Sequence, residues 1–273
     1  MNIVRTALAT TLAATLFSST VLAVTIDNFT IDLIDDGNGP IAETPRGAAP
    51  QTDFANAIAN DGSILGGERD VVVEKTAGSN SSRVSLAAGP DALNSLEHSQ
   101  GARAQGFSLI VWDGLDASRD LQFGLNFDLA AAGDFQIGNL VSDREGSISL
   151  FVFTSADSFS VFTFPTGVLG GEEPDGTSFG ISTADFVVDS LAPTLANGRL
   201  VDATGSIFPN VAAQSGADFT DIRAIALLID GSDVAALDAS LNFLSVESIP
   251  LPASFLFLMT GLIGLKLRIK AQS

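Results

Sequence analysis

The sequence has no cysteine, one histidine (His98) and one tryptophan (Trp112) among its 273 residues. Without thiols there is neither a disulfide framework nor a thiolate metal site. The fold must then hold together by its core, which is feasible at this length. A lone histidine excludes multi-histidine metal centres and leaves serine–histidine catalysis a single candidate base. Lysine is nearly missing as well: Lys75 is the only one before residue 266. Helical patterning is equally scarce. Between residues 24 and 251 no stretch carries a convincing apolar 3.6-residue repeat, and 89–105 is the best place for a short helix.

Acid is what the chain does have. All 32 Asp and Glu residues fall between 24 and 251, together with 9 of the 13 Lys and Arg residues, a net charge of −23 for that part. Such a surface repels nucleic-acid phosphates and anionic lipid headgroups, so neither is an expected partner. It also keeps the domain soluble through self-repulsion.

The two ends are built differently from the middle. Residues 1–23 read as a secretory signal, with Arg5 as the positive region, Ala7 to Phe17 as the apolar stretch and Val21-Leu22-Ala23 as a small-residue cleavage site between Ala23 and Val24. Residues 249–273 begin with Ile249-Pro250-Leu251-Pro252-Ala253-Ser254 and continue as an apolar segment with a basic end at Lys266, Arg268 and Lys270. Proline fixes φ and withholds N–H groups, so the motif is expected to be extended and accessible. A helix over 253–267 would reach only about 22 Å against a hydrocarbon core of about 30 Å. That is short for a permanent anchor and suits a segment holding the chain at the inner membrane until it is cut. With the N-terminus exported, the basic end stays cytoplasmic.

This tripartite tail resembles the PEP-CTERM sorting signal of Gram-negative bacteria, in a variant with Leu251 where Glu is commonest. The resemblance implies that an exosortase-type membrane protease recognises Pro250-Leu251-Pro252 and releases or transfers the protein. A plain C-terminal anchor is the competing reading. A Gram-positive sortase signal fits worse because the Thr-Gly is missing. A GPI signal fits worse because of the cationic end.

In residues 24–248 the apolar period is two, the strand signature. The clearest alternation is 120–129, with Leu121, Phe123, Leu125, Phe127 and Leu129 on one face. Further strands are expected at 25–34, 70–75, 83–87, 106–112, 135–141, 147–154, 159–164, 179–188, 221–229 and 237–246, with 155–158 turning one hairpin. Gly, Asp, Asn and Ser mark the junctions. So many short strands predict an all-β fold, a β-sandwich of jelly-roll type, flanked by the signal peptide and a C-terminal transmembrane helix.

Three blocks in this part are also familiar: Leu65-Gly66-Gly67-Glu68-Arg69-Asp70, Val111-Trp112-Asp113-Gly114-Leu115-Asp116, and Ala217 through Ile225, closed by Leu237-Asp238-Ala239-Ser240-Leu241-Asn242-Phe243. They resemble a recurrent PEP-CTERM ectodomain of unknown function, which implies a galactose-binding-like jelly roll over about 25–247. Residues 168–193 do not match and read as an insertion.

Candidate chemistry is thin. Gly176-Thr177-Ser178-Phe179-Gly180 spells a nucleophile elbow, but a strand pattern follows Ser178 and the only histidine precedes it. His98, beside Glu97 and Ser99, reads as an exposed loop residue. Acidic pairs are too abundant to identify a glycosidase. Calcium is the one cofactor the composition would suit, and Asp32, Asp35, Asp36 and Asn38 supply hard oxygen ligands without EF-hand spacing. Trp112 reads as core rather than as a sugar platform. Glu68, Arg69 and Asp70 suggest an ion pair.

The leading reading is a non-enzymatic cell-envelope or extracellular-matrix protein, structural or adhesive and in contact with exopolysaccharide. The alternatives are a calcium-dependent carbohydrate-binding module and an extracellular polysaccharide hydrolase or lyase. For processing, the mature protein should begin at or near Val24 and lack residues beyond about Ser254. Intact mass of protein from its own cells checks this, and full-length C-terminal peptides in the extracellular fraction would rule it out.

Overall fold

Alternating apolar positions on either side of a gap are best buried by two sheets placed face to face, and the chain does this. The computed structural model describes residues 23–35, 41–116, 122–129, 132–166, 177–188 and 215–248. The signal peptide, the sorting motif Pro250, Leu251 and Pro252, the tail helix and the basic residues Lys266, Arg268 and Lys270 lie outside them, as do Asp36 and Asn38. Among the described residues there is no α-helix, and no helix is long and apolar enough to cross a membrane.

The strands are β1 (Val24–Asp27), β2 (Ile34–Asp35), β3 (Ile41–Glu43), β4 (Gln51–Ile58), β5 (Glu68–Gly78), β6 (Val84–Gly89), β7 (Ser95–Gln100) and β8 (Ala104–Trp112). After them come β9 (Ala132–Ser142), β10 (Ser147–Ser155), β11 (Ser158–Pro165), β12 (Thr177–Ile181), β13 (Ala224–Gly231), β14 (Asp238–Leu241) and β15 (Phe243–Ser248). One sheet runs β1-β15-β9-β14-β7-β6-β3 with β12 added at β9, and the other runs β11-β10-β13-β8-β5-β4-β2. In the first sheet β1 with β15, β9 with β14 and with β12, β14 with β7, β7 with β6 and β6 with β3 are antiparallel, as is every neighbouring pair of the second sheet. The protein is an all-β sandwich.

One core cluster fills the gap between the sheets, with Val71, Ile110, Trp112, Ile225, Leu227 and Leu150 from the second sheet meeting Leu86, Leu96, Ile137, Leu241 and Val246 from the first. The second sheet is apolar on its other face too. Phe54, Val72, Phe107, Leu109, Phe151, Phe153 and Phe159 form a second buried cluster there, with Phe123 against it. Strands buried on both faces read as near-continuous apolar runs, hence Ala224–Gly231 and Ala104–Trp112.

Several expected elements change form. Of the expected strand at 120–129, the described residues 122–129 have Leu125 and Leu129 buried and Gln122, Asn126 and Asp128 exposed, yet they join no sheet. Their N–H groups go to loop carbonyls instead, Leu125 to Arg223, Phe127 to Ile222 and Leu129 to Phe219. Phe123 has φ +55, which turns its ring to Phe153 on the second cluster while Leu125 and Leu129 enter the first. The proposed helix at 89–105 is a 3-10 turn, Pro90–Ala92, followed by strand β7. The expected strand at 25–34 breaks at Phe29 (φ +51), that at 179–188 stops after Ile181, and that at 237–246 is interrupted at Asn242. Strand β4 was not legible, because its inward side chains, Ala55 and Ala57, are small and its outer face mixes Phe54 with Asn56. The hairpin of β10 and β11 is as expected, turning at 156–157.

A buried polar knot joins the layers. Arg69 Nη1 donates to both Asp27 oxygens at 3.0 and 2.8 Å, and Nη2 donates to the Ile31 carbonyl at 2.6 Å. Trp112 Nε1 and the Phe29 N–H each donate to Asp27 at 2.8 Å. Arg69 therefore pairs across the sandwich, and not with Glu68 or Asp70 beside it in sequence. Since Asp27, Arg69 and Trp112 are all fully buried, Asp27→Ala strands an unpaired guanidinium and should cost about 3–5 kcal/mol. Gln122→Ala, on an exposed position, should cost under about 0.5 kcal/mol. Chemical denaturation of both variants checks the contrast.

Candidate functional site

Two places on the sandwich gather polar side chains. The first is a shallow groove of about 320 Å³ on the outer face of the first sheet, where β7, β14 and β9 run side by side. Antiparallel register sets Ser99 opposite Asp238 and Glu97 opposite Ser240, and Ser240 opposite Val141. Alternation turns Glu97, Ser99 and Asp238 to solvent. Ser99 Oγ donates to Asp238 Oδ1 at 2.6 Å, and Asp143 Oδ1 accepts the Asp238 N–H at 2.7 Å. Carboxylates and hydroxyls on a rigid sheet can hydrogen-bond a hydroxyl-rich surface. No phenylalanine or tryptophan lines the groove, and among the described residues none of the exposed large apolar side chains is aromatic.

The second place lies at one end of the second sheet. Gly66 and Gly67 turn the chain into β5, and Gly114 turns it out of β8. A Cβ on Gly66 (φ +78) would come within 2.5 Å of Leu125 Cδ2, and one on Gly114 (φ +112) within 3.0 Å of the Gly124 backbone. Only glycine permits both the conformation and the contact. The close packing brings together two blocks that are separate in sequence, 65–70 and 111–116. Carboxylate oxygens of Glu68, Asp70 and Asp116 lie within 4.8 Å of one another. Asn56 Nδ2 donates to Glu68 Oε1 at 3.1 Å, and the Asp116 N–H donates to Glu68 Oε2 at 2.9 Å. Asp113 is buried nearby, with Oδ2 accepting the Gln122 N–H at 2.7 Å.

Other sequence candidates fall elsewhere. Ala23 is exposed, and Val24 opens β1 opposite Val246. Asp32 sits against Gly89, where any Cβ would collide with its carboxylate, and Asp35 belongs to β2. The structure does not assemble them into the acid group it does form. Nothing in the local spacing pointed to that group; the signal was the glycine turns flanking both acidic blocks. Ser178 lies in β12, where its Oγ accepts the Asn139 N–H at 3.1 Å.

His98 is a correction. It is buried on β7, its Nδ1 2.7 Å from Ser108 Oγ, because every second residue of that strand points inward. Burial favours the neutral ring and pushes its pKa down to about 3. Trp112 is core, as expected.

Two carboxyls titrate high. Burial raises Glu74 to about 7. Burial first, then the charges of Asp116 and Glu68, raise Asp113 to about 6. Each carboxyl keeps a proton in the fold that the unfolded chain has lost. Their contribution is therefore full below the ordinary carboxyl range and is lost as pH rises through 7 and 6 respectively. His98 acts oppositely: its contribution is present above about 6.5 and is lost as pH falls toward 3. Hence the stability of Glu74→Gln relative to the natural chain should improve as pH rises from 4.5 to 7. That of His98→Gln should improve as pH falls from 6.5 to 3. Denaturation midpoints across pH 3–8 check both signs.

No family model matches the sequence, and no curated protein matches it. Among solved structures, it is similar to the carbohydrate-binding module CtCBM11 (10% identity, 86% of this chain and 100% of that one, TM-score 0.36). It is also similar to the agarase AgWH50C (14% identity, 57% and 21%, TM-score 0.33) and to an exo-beta-agarase (11% identity, 62% and 23%, TM-score 0.35). The matches thus span less than a quarter of each agarase, and likeness at this level bears on neither activity nor ligand.

Proposed function

We propose that this is an exported, non-enzymatic component of the cell envelope or extracellular matrix. A C-terminal exosortase-type signal delivers it, and its acidic sandwich, a jelly roll of the galactose-binding kind, serves as a structural and adhesive module. The observation that carries this reading is the polar groove over β7, β14 and β9. It offers Glu97, Asp143, Asp238, Ser99 and Ser240 at one surface without an aromatic platform. Stacking rings account for much of the affinity of a dedicated saccharide pocket. A ring-free set of carboxylates and hydroxyls suits broad, weak, hydrogen-bonded contact with a polysaccharide. Many copies on a surface would turn such contacts into adhesion through avidity.

The buried positions of the groups with shifted titration also support the non-enzymatic reading. Glu74, Asp113 and His98 are buried, with only His98 bordering the groove, and its side chain points inward. None of the three is offered to a polysaccharide at the groove surface. An acidic sandwich approaches an acidic polymer only with cations between them, so the natural partner is a neutral exopolysaccharide or a cation-bridged one.

Affinity electrophoresis of the full chain through gels containing the exopolysaccharide of its own cells tests the reading. The protein should be retarded, and Asp143→Ala or Asp238→Ala alone should weaken retention about fivefold, as expected for roughly 1 kcal/mol per lost polar contact. No new reducing ends should form. Release of oligosaccharide would make the protein a hydrolase or lyase, and unretarded migration would remove the polysaccharide from its partners.

A further inference from the structure

We infer that Glu74 is a proton-operated catch on the edge of the second sheet. Neutral, it lets β4 stay paired to β5; ionised, it drives β4, with β2, to open away from the sheet. The catch is on the second sheet and is independent of the groove.

Strand alternation sends the two neighbouring charges of β5 to opposite faces. Lys75 turns inward, where its ammonium donates to the carbonyls of Gly47, Ser79 and Ser82. It is therefore not available to the carboxyl beside it. Glu74 turns outward with Val72, onto the apolar face of the second sheet, and is only 4% exposed. The register sets it between Thr52 of β4 and Phe107 of β8. Phe54 and Leu109 are the next residues of those strands on the same face. Strand β8 contains no ionisable residue, and the only one of β4, Asp53, faces the other way and accepts the Glu43 N–H at 2.7 Å. On β5 itself Arg69 is turned inward to Asp27, and Glu68 and Asp70 lie four or more positions back. No described cation faces Glu74. Burial is what acts on it, and raises it to about 7.

Strand β4 is poorly placed to resist a charge there. Its inward side chains include Ala55 and Ala57, which bury little area. Its outer neighbour β2 is two residues long, and Ile34 on it is 62% exposed. Strand β13 of the same sheet is flanked by β8 and β10 and is buried at all positions but Asp230. Elements with little apolar burial open first. Since Glu74 is paired with Thr52, parting β4 from β5 hydrates the carboxyl. The ionised form gains much from that water and the neutral form little. Closure is therefore fully supported below the ordinary carboxyl range, and the support is lost as pH rises through 7. A carboxyl moved from 4.5 to about 7 changes the opening constant roughly 70-fold between pH 5 and 8. The open form presents Phe54, Val72 and the unpaired backbone edge of β5, which is an apolar surface absent at acidic pH.

Amide hydrogen exchange of the full chain from pH 5 to 8, corrected for intrinsic rates, tests the catch. Amides of β4 should be less protected than those of β13 at every pH, and their protection should fall at least tenfold across the range. In Glu74→Gln, which keeps the size and removes the charge, protection of β4 should stay constant. High salt should leave the fall in place, because a buried group is screened little. Equal protection of β4 and β13 would mean that the edge opens only with the whole domain, and would overturn the catch. The same fall in Glu74→Gln would overturn it too, and disappearance of the fall in salt would assign it to repulsion among surface acids. Should Glu74→Gln not fold, the natural chain decides alone: β4 protection that is flat from pH 5 to 8 removes the catch. Polysaccharide retention by the groove does not involve Glu74, so the two readings fail separately.

Discussion

The Asp27–Arg69 ion pair sets the terms for the rest of the molecule. Both charges are fully buried, and such a pair holds only if nearly every lone pair and proton is used. Asp27 accepts from the guanidinium, from the indole of Trp112 and from the backbone of Phe29. Arg69 also reaches the Ile31 carbonyl, and its Cζ lies 5.5 Å from the Phe29 ring centre. Asp27 belongs to the first sheet, whereas Arg69 and Trp112 belong to adjacent strands of the second. The pair therefore fixes how the two layers register, which nondirectional apolar contact alone does not do.

The same geometry explains where the acids go. Successive residues of a strand face opposite ways. With Arg69 turned inward to Asp27, its neighbours Glu68 and Asp70 are forced to the opposite face, where the glycine turns deliver Asp116 to them. One inward cation thus creates one outward group of carboxylates. Lys75 follows a related logic at the other end of β5. Its buried ammonium donates to the carbonyls of Gly47, Ser79 and Ser82 at 2.6, 3.4 and 3.2 Å. The lysine thus binds two loops together, and the surface loses a positive charge that would have offset its acidity.

The buried aromatics separate this sandwich from a ring-lined sugar receptor. Phe151, Phe153 and Phe159 stack among themselves on the second sheet, with centroids 5.4 to 6.4 Å apart. Their area stabilises the fold instead of offering a platform. The described groove offers carboxylates and hydroxyls for hydrogen bonding, and the net −23 of residues 24–251 must be screened before another anion can approach.

By itself the sequence determined the all-β class, the hairpin of β10 and β11, the core role of Trp112 and the acidity of the exposed part, because period-two alternation and composition are local properties. Within 122–129 it placed Leu125 and Leu129 inward, but not Phe123, whose ring goes to the other cluster. It did not decide that this segment would spend its N–H groups on loop carbonyls, since a strand is defined by its neighbour and not by its own pattern. Tertiary structure alone made a strand of Gln51–Ile58, whose small inward residues carry little local signal, and turned His98 from a loop residue into a buried one. It alone decided the acid group as well. Glu68 and Asp116 are 48 positions apart, and no spacing rule joins them until Gly66 and Gly114 let two backbones touch.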